Sequence, residues 1–195
     1  MSANNPSAIT VYCASSTHAS ESMVEAARQL GALIAQSGHP VVTGAGNMGL
    51  MAAVNDGAIA AGGTTIGVIP RFMVERGWHH HALSELVIVD NMHQRKQTMA
   101  DLAMGVIALP GGFGTLEELL EIITWRQLGL YKGNIVILSI DGYYDKLLEM
   151  FDCAASSHIV NPDHVSALFQ VAKTPAEALS MALAPYRPLH ITPKF

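Results

Sequence analysis

Short apolar runs alternate along the chain with longer stretches whose apolar residues recur every three or four positions. The runs Ile9–Cys13, Pro40–Thr43, Thr65–Pro70, Leu86–Val89, Val106–Leu109, Ile135–Ile140 and Leu168–Ala172 predict seven strands. Their near-continuous apolar character marks strands buried on both faces, as in a parallel sheet. Between the first two runs, Met23, Val24, Ala27, Leu30, Leu33 and Ile34 share one helical face, and Gly38 follows the expected end. Further helices are expected up to about Ala61, from Met92 to Met104 with a stop at Gly105, after Gly114, and from Tyr143 to about Ala155. Thr174-Pro175-Ala176-Glu177 has the form of a capping box with proline at the first helical position, opening a last helix. Arg71 to Ser84 has no clear period and reads as a surface loop of the kind that lines sites. Strands alternating with helices predict an α/β fold, about seven parallel strands with helices on both faces. Residues 1–195 read as a single domain, with a core of about 8–184 and an irregular tail, 185–195.

Half of the 195 residues are hydrophobic and only 14% are charged. That apolar excess predicts further burial between subunits, hence a homo-oligomer. No stretch approaches the roughly 18 uninterrupted apolar residues of a membrane span. A formal charge of −5 argues against a broad nucleic-acid footprint, so any anionic ligand must meet positive charge locally. Cys13 and Cys153 lie far apart without metal-type spacing and read as reduced, buried thiols of a cytoplasmic protein. Met1 to Ser7 is short and polar, with no signal-peptide pattern.

The densest signal is Leu109-Pro110-Gly111-Gly112-Phe113-Gly114-Thr115-Leu116-Glu117-Glu118. An apolar strand runs into three glycines and then into a helical pattern, with Leu116, Leu119, Leu120 and Ile123 expected on one face and Glu117, Glu118 and Glu121 on the other. Glycines let a backbone approach a phosphate closely, and a helix N-terminus supplies unpaired N–H donors and a positive dipole end. Thr115 adds a hydroxyl, as ligand donor or N-cap. The plainer alternative is a tight turn whose glutamates complement the dipole.

A second loop, Gly44-Ala45-Gly46-Asn47-Met48-Gly49, matches G-x-G-x-x-G, but no acid stands about 20 residues on to hold a dinucleotide ribose. A mononucleotide between the two loops, at the carboxyl edge of the sheet, fits better. No Gly-Lys-Ser/Thr follows either loop, which argues against a P-loop triphosphatase. Met92-His93-Gln94-Arg95-Lys96 puts two cations in a helix's first turn, where the macrodipole favours acids. Either they form a solvated basic patch or an anion or carboxylate offsets them. Arg95 offers a planar fork for a phosphate or carboxylate; Lys96 is a less directional charge. Glu118 is the leading catalytic carboxylate, one turn beyond Gly114. Arg95 placed between it and a phosphate would lower its pKa and keep it ionised. His79-His80-His81 tempts a metal reading, but consecutive residues diverge and no companion ligands stand at suitable spacing, so no metal is expected. Trp125 stacks a base or packs at an interface.

The segments 92–96 and 110–118 together resemble the signature of the LONELY GUY (LOG) family, M-H-x-R-K with P-G-G-x-G-T-x-x-E. Ile122–Gly129, Asp141-Gly142-Tyr143-Tyr144 and Gly46–Met51 look like that family too, and the resemblance spans roughly residues 8 to 180. It implies a Rossmann-like homodimer that hydrolyses the N-glycosidic bond of nucleoside 5′-monophosphates, characteristically cytokinin riboside monophosphates, to free base and ribose 5-phosphate. The family's catalytic arginine and glutamate fall on Arg95 and Glu118. Its substrate contacts fall on Arg95, Lys96, Gly112, Phe113, Gly114, Thr115, Leu116, Glu117, Glu118 and Thr124, beside Gly111 and Gly46 from the loop readings. Members are often labelled lysine decarboxylases, but no lysine stands out as a pyridoxal-phosphate site, and no cofactor is expected. Ala14, Ala45 and Ala52 stand where the family often has glycine, which bears on base specificity and on backbone approach at Ala14. Two alternatives use the same loops: a carrier of a nucleotide or of molybdenum cofactor, which would not need Glu118, and a general AMP nucleosidase.

Overall fold

Along the fifth strand Ile107 and Leu109 point to one side while Val106 and Ala108 point to the other, and all four are fully buried. The same alternation of apolar pairs, Val136 and Leu138 against Ile135 and Ile137, marks the sixth. A sheet greasy on both sides must be covered on both sides. The computed structural model describes residues 7–186 and Pro188. Its strands are β1 (Ala8–Tyr12), β2 (Val41–Thr43), β3 (Thr65–Pro70), β4 (Glu85–Val89), β5 (Ala103–Ala108), β6 (Asn134–Leu138) and β7 (Gln170–Ala172). All pair in parallel, in the order β4-β3-β2-β1-β5-β6-β7. The helices are α1 (Glu21–Gln36), α2 (Gly49–Ala60), α3 (Arg71–Val74), α4 (Met92–Leu102), α5 (Phe113–Gln127), α6 (Asp145–Ser156), α7 (Pro162–Leu168) and α8 (Pro175–Leu183). Helices α1, α2 and α8 cover one face, while α4, α5 and α6 pack on the other.

The order of strands reverses between β1 and β5: chain progress runs outward to β4 on one side and to β7 on the other. At such a switch point the loops leaving the two strands part, opening a crevice at their carboxyl ends. Both glycine loops and the turn after β1 converge there.

Several elements differ from expectation. Helix α4 ends at Leu102 rather than Met104, because Ala103 already pairs with Ala8 of β1. Gly105 is thus a strand residue, not a helix stop; a Cβ there would stand 2.7 Å from the Ala182 carbonyl oxygen on α8. The 71–84 stretch opens with α3, and α7 precedes β7, which begins at Gln170 rather than Leu168. Cys13 is buried as expected, but Cys153 is exposed. Of the irregular tail, Pro185, Tyr186 and Pro188 carry no regular structure, and Arg187 and 189–195 lie outside the described residues. The Thr174 cap forms, with the Glu177 N–H donating to Thr174 Oγ1 at 3.3 Å, while the Glu177 carboxylate accepts the N–H of Lys173, one residue before the cap, at 2.9 Å.

Helices α1 and α2 cross unusually closely. A Cβ on Gly31 would stand 2.0 Å from the Val54 carbonyl oxygen, and one on Gly57 would stand 2.0 Å from that of Arg28. Alanine is the better helix former by about 1 kcal/mol, yet here it forces the backbones apart. Gly31→Ala and Gly57→Ala are each expected to destabilise the protein by roughly 1–3 kcal/mol, read as a lower denaturant midpoint. A midpoint at or above that of the unmodified protein would show that the close crossing is dispensable.

Candidate active site

Helix α4 starts under a good cap. Asn91 Oδ1 accepts the Gln94 N–H at 2.9 Å, and Gln94 Oε1 accepts the Asp90 N–H at 2.9 Å. This fixes the first turn and so the directions of Arg95 and Lys96. Both are buried, which disposes of the solvated-patch reading. The Arg95 guanidinium spreads its donors three ways: Nε to the Val68 carbonyl (3.0 Å), Nη2 to the Gly44 carbonyl (3.3 Å) and Nη1 to Glu118 Oε1 (3.2 Å). Gly44 makes room for it, since a Cβ there would lie 1.7 Å from Nη2. Lys96 points elsewhere and holds Glu117 and Glu121 together, the latter at 3.1 Å. Burial works against its ammonium, but the hydrogen bonds to the two carboxylates outweigh that and raise its pKa.

Helix α5 is rotated from the expected setting. Its inward face is Thr115, Glu118, Leu119, Ile122 and Arg126, whereas Leu120 is exposed. Glu118 therefore lies inside, only 7% exposed, although the polar pattern put it outside. Its pKa is also the reverse of expectation. Desolvation pushes it up to about 7; Arg95 pulls it down, the neighbouring Glu117 charge adds to the rise, and burial wins. Gly112 is the extended N-cap residue of α5 and has no side chain to cap the helix, so Thr115 does not fill that role. The first N–H groups of α5 thus carry no side-chain cap at the carboxyl edge of β5.

These parts meet in one cleft of about 490 Å³. Arg95 and Glu118 lie along it together with Gly112, Gly114 and Thr115 at the α5 end. The turn after β1, Cys13 to Ser16, forms one wall. Gly46, Met48, Met51, Ile69, Met73 and Trp78 give the other end a predominantly apolar lining. A helix N-terminus, a buried carboxylate–guanidinium pair and an apolar end suit a ligand that is anionic at one end and flat and apolar at the other.

A family model described as "Possible lysine decarboxylase" matches residues 51–181. The chain is 42% identical over 154 residues to the cytokinin riboside 5′-monophosphate phosphoribohydrolase LOG7 of Arabidopsis thaliana, covering 79% of this chain and 71% of that protein. It is 42% identical over 155 residues to LOG of Oryza sativa subsp. japonica, covering 80% of this chain and 64% of that one. The chain belongs to the LOG family. Among solved structures, the molybdenum cofactor binding protein of Rippkaea orientalis superposes with a TM-score of 0.67 at 23% identity, covering 89% of this chain and 94% of that one. The molybdenum cofactor carrier protein of Chlamydomonas reinhardtii does so at 0.67 and 22%, covering 90% and 95%. Those likenesses show a shared Rossmann-like fold.

Against the LOG motifs, the structure brings Arg95, Glu118, Gly112, Gly114, Thr115 and Gly46 to one cleft. Lys96 and Glu117 pair with each other beside it, and Leu116 packs partly buried on the core. Phe113 is 93% exposed. Gly111 presses on Thr115 and lines a neighbouring recess. Thr124 is exposed on α5, its hydroxyl bonded at 2.8 Å to the Leu120 carbonyl. Trp125 packs partly buried against the core rather than lining the cleft. The histidine triplet is a strut: His80 pairs with Asp56 at 3.0 Å, and its N–H donates to the Ala45 carbonyl at 2.8 Å. Among the described residues no group of three or more His, Cys, Asp or Glu side chains is placed to hold a metal. Sequence reasoning placed the 44–49 loop and the 71–84 stretch at a site without singling out Gly44, Met73 or Trp78, which line the cleft.

Glu118 makes stability depend on pH. Its folded pKa lies above the unfolded carboxylate value, so its contribution is fully present below about 4.5 and is lost as pH rises through about 7. Glu118→Gln imitates the neutral form. It is expected to be more stable than the unmodified protein at pH 8, by up to roughly 3 kcal/mol, with the gap closing toward pH 4.5. Parallel stability–pH curves for the two proteins would contradict the burial argument.

Proposed function

We propose that this protein is a phosphoribohydrolase that cleaves the N-glycosidic bond of cytokinin riboside 5′-monophosphates, and of AMP, releasing free base and ribose 5-phosphate. One observation carries the reading: the buried Arg95–Glu118 pair lies in the same cleft as the side-chain-uncapped N-terminus of α5. Membership of a family whose curated relatives bear that activity in their names supports it.

The 5′-phosphate sits on the N–H groups of Gly112 to Thr115, where glycine at 112 and 114 leaves the approach open. Ribose lies over Arg95 and Glu118, and the base extends toward Met48, Met73 and Trp78. As the C1′–N bond breaks, positive charge grows on the sugar ring, and ionised Glu118 stabilises it. Glu118 also orients water, whose hydroxyl joins C1′ while its proton ends on the departing base. Arg95 holds the carboxylate in position and offsets the phosphate. Lys96 acts at one remove, neutralising Glu117 and Glu121 beside Glu118. The protein works as a cytoplasmic homodimer, a second copy covering the outward side chains Leu120, Leu128 and Leu130. Among the described residues no helix is long and apolar enough to cross a membrane.

Incubation with AMP and with isopentenyladenosine 5′-monophosphate, followed by chromatography, is expected to show free base. The corresponding nucleosides should release none. Tight monophosphate binding without base release would instead favour a carrier, the function named for the Chlamydomonas reinhardtii neighbour. Glu118→Gln is expected to lower turnover about 10²–10⁴-fold while monophosphate binding persists. For the unmodified enzyme, kcat/KM should rise with pH through an apparent pKa near 7 as Glu118 ionises. A flat profile from pH 6 to 8 would remove Glu118 from that role.

A further inference from the structure

The Asp141-Gly142-Tyr143-Tyr144 segment resembles the LOG family but lies outside the main cleft, and nothing so far accounts for it. It leaves β6 in a 3-10 turn, Ile140–Gly142, where Asp141 (φ 52°) and Gly142 (φ 71°) both occupy the left-handed region. Asp141 is a non-glycine residue there, a conformation held only when its surroundings over-determine it. They do: Ser22 Oγ donates to Asp141 Oδ2 at 2.6 Å, tying the turn to the first turn of α1. Gly142 suits its position because φ 71° is strained for any residue with a side chain. This contorted turn delivers two phenols to one loop. Tyr143 donates to the Gly111 carbonyl at 2.8 Å, and Tyr144 donates to the Leu109 carbonyl at 2.7 Å.

The two carbonyls alternate with others already engaged. The Ala14 N–H donates to the Pro110 carbonyl at 3.1 Å, and the Leu116 N–H donates to that of Gly112 at 3.0 Å. Every carbonyl from Leu109 to Gly112 is therefore held by a protein donor. In a trans peptide the C=O of one residue and the N–H of the next point in opposite directions. Tyr143 and Gly111 line a neighbouring recess, Gly112 borders both that recess and the cleft, and Gly114 lines the cleft. With its carbonyl pinned to Tyr143 on the recess side, the Gly111–Gly112 peptide turns its N–H the other way.

We propose that Tyr143 is a positioning residue for phosphate recognition: by holding the Gly111 carbonyl on the recess side, it keeps the loop's N–H groups aimed at the 5′-phosphate. Rotation of that peptide would point a carbonyl oxygen at the anion. The phenol at 143 thus raises affinity for the phosphate without touching it. Tyr144, fully buried, braces the strand end in the same manner but also packs the core. The proposal rests on the phosphoribohydrolase reading above.

Tyr143→Phe removes only the hydroxyl from a residue that is 46% exposed, so the fold should survive. The expected result is a five- to tenfold rise in KM for AMP and an equal weakening of inhibition by inorganic phosphate, the worth of about one neutral hydrogen bond. kcat should change less than KM, and binding of adenosine, which lacks the phosphate, should stay the same. Ser22→Ala, which frees Asp141 without altering the loop, should move phosphate inhibition in the same direction by a smaller factor. KM and phosphate inhibition unchanged in Tyr143→Phe would overturn the proposal, as would an equal loss of adenosine binding, which would mark a general structural defect. An unmodified protein that binds neither AMP nor phosphate would overturn the phosphoribohydrolase reading itself, a result visible before any variant is made.

Discussion

Two opposite charges buried side by side at the sheet's switch point constrain the rest of this molecule. Taking Arg95 and Glu118 out of water costs more than their mutual attraction returns unless the remaining donors are also satisfied. The fold satisfies them with backbone. The Val68 carbonyl, within β3, and the Gly44 carbonyl, just after β2, accept two arms of the guanidinium while Glu118 takes the third. One side chain on α4 thus ties together two neighbouring strands and α5. Gly44 is required for the space it leaves. The compensation is incomplete at Glu118, whose carboxyl still sits well above its ordinary range. A buried carboxylate left partly uncompensated gains from any positive charge brought near it, a property the proposed role of Glu118 would use.

The neighbouring cation has a different task, and the chemistry of the two side chains explains the division. Arg95 is engaged in three directions within a plane, which an ammonium on a flexible stem cannot reproduce. Lys96 collects two carboxylates from successive turns of α5, a job for a point charge with rotatable donors. Its charge also offsets Glu117 and Glu121, which both push the Glu118 pKa upward while Lys96 pulls it down. The arrangement resolves the oddity of two cations at a helix N-terminus: three acids of α5, Glu117, Glu118 and Glu121, stand opposite them.

How much of this was legible follows from what each signal encodes. Apolar runs report burial on two faces, so the seven strands and their parallel arrangement could be read directly. Helix faces were read from hydrophobicity alone, and α5 defeated that reading because its inward face contains Glu118, Thr115 and Arg126 while Leu120 points out. Polar residues facing inward are what a site looks like to a periodicity argument, so the failure fell on the functional helix. The end of α4 was misjudged because Gly105 reads as a stop, whereas its missing side chain serves the approach of α8. The Glu118 pKa was misjudged because sequence shows a charge partner but not the depth of burial. The grouping of Arg95 with Glu118 was legible as a motif; the cradle of carbonyls around them was not, since backbone leaves no trace in composition.

The two loops that flank the pair are stabilised by different means, and the difference bears on what each can recognise. The 109–112 loop is held through its carbonyls, which leaves a rigid run of N–H groups, the kind of surface that suits an anion. The 44–49 loop is held largely through its own N–H groups: the Thr43 hydroxyl accepts the Ala45 N–H at 3.2 Å and Met51 sulfur accepts the Gly46 N–H at 2.9 Å, while the backbone N–H of His80 donates to the Ala45 carbonyl from the 71–84 segment. Ala45 sits at φ 64°, where glycine would rest without strain, with its methyl fully buried and facing Gly67. An alanine there costs about 1 kcal/mol of backbone strain, which its packing must offset. Methionines and an exposed tryptophan then line the end of the cleft that this loop borders. Flexible thioethers adapt to ligands of varied shape, whereas fixed N–H groups do not. The structure thus separates an end of the cleft built on fixed N–H groups from an adaptable apolar end, and on the proposed reading differences in base preference are to be sought in Ala45, Met48, Met73 and Trp78 rather than in the glycine loop.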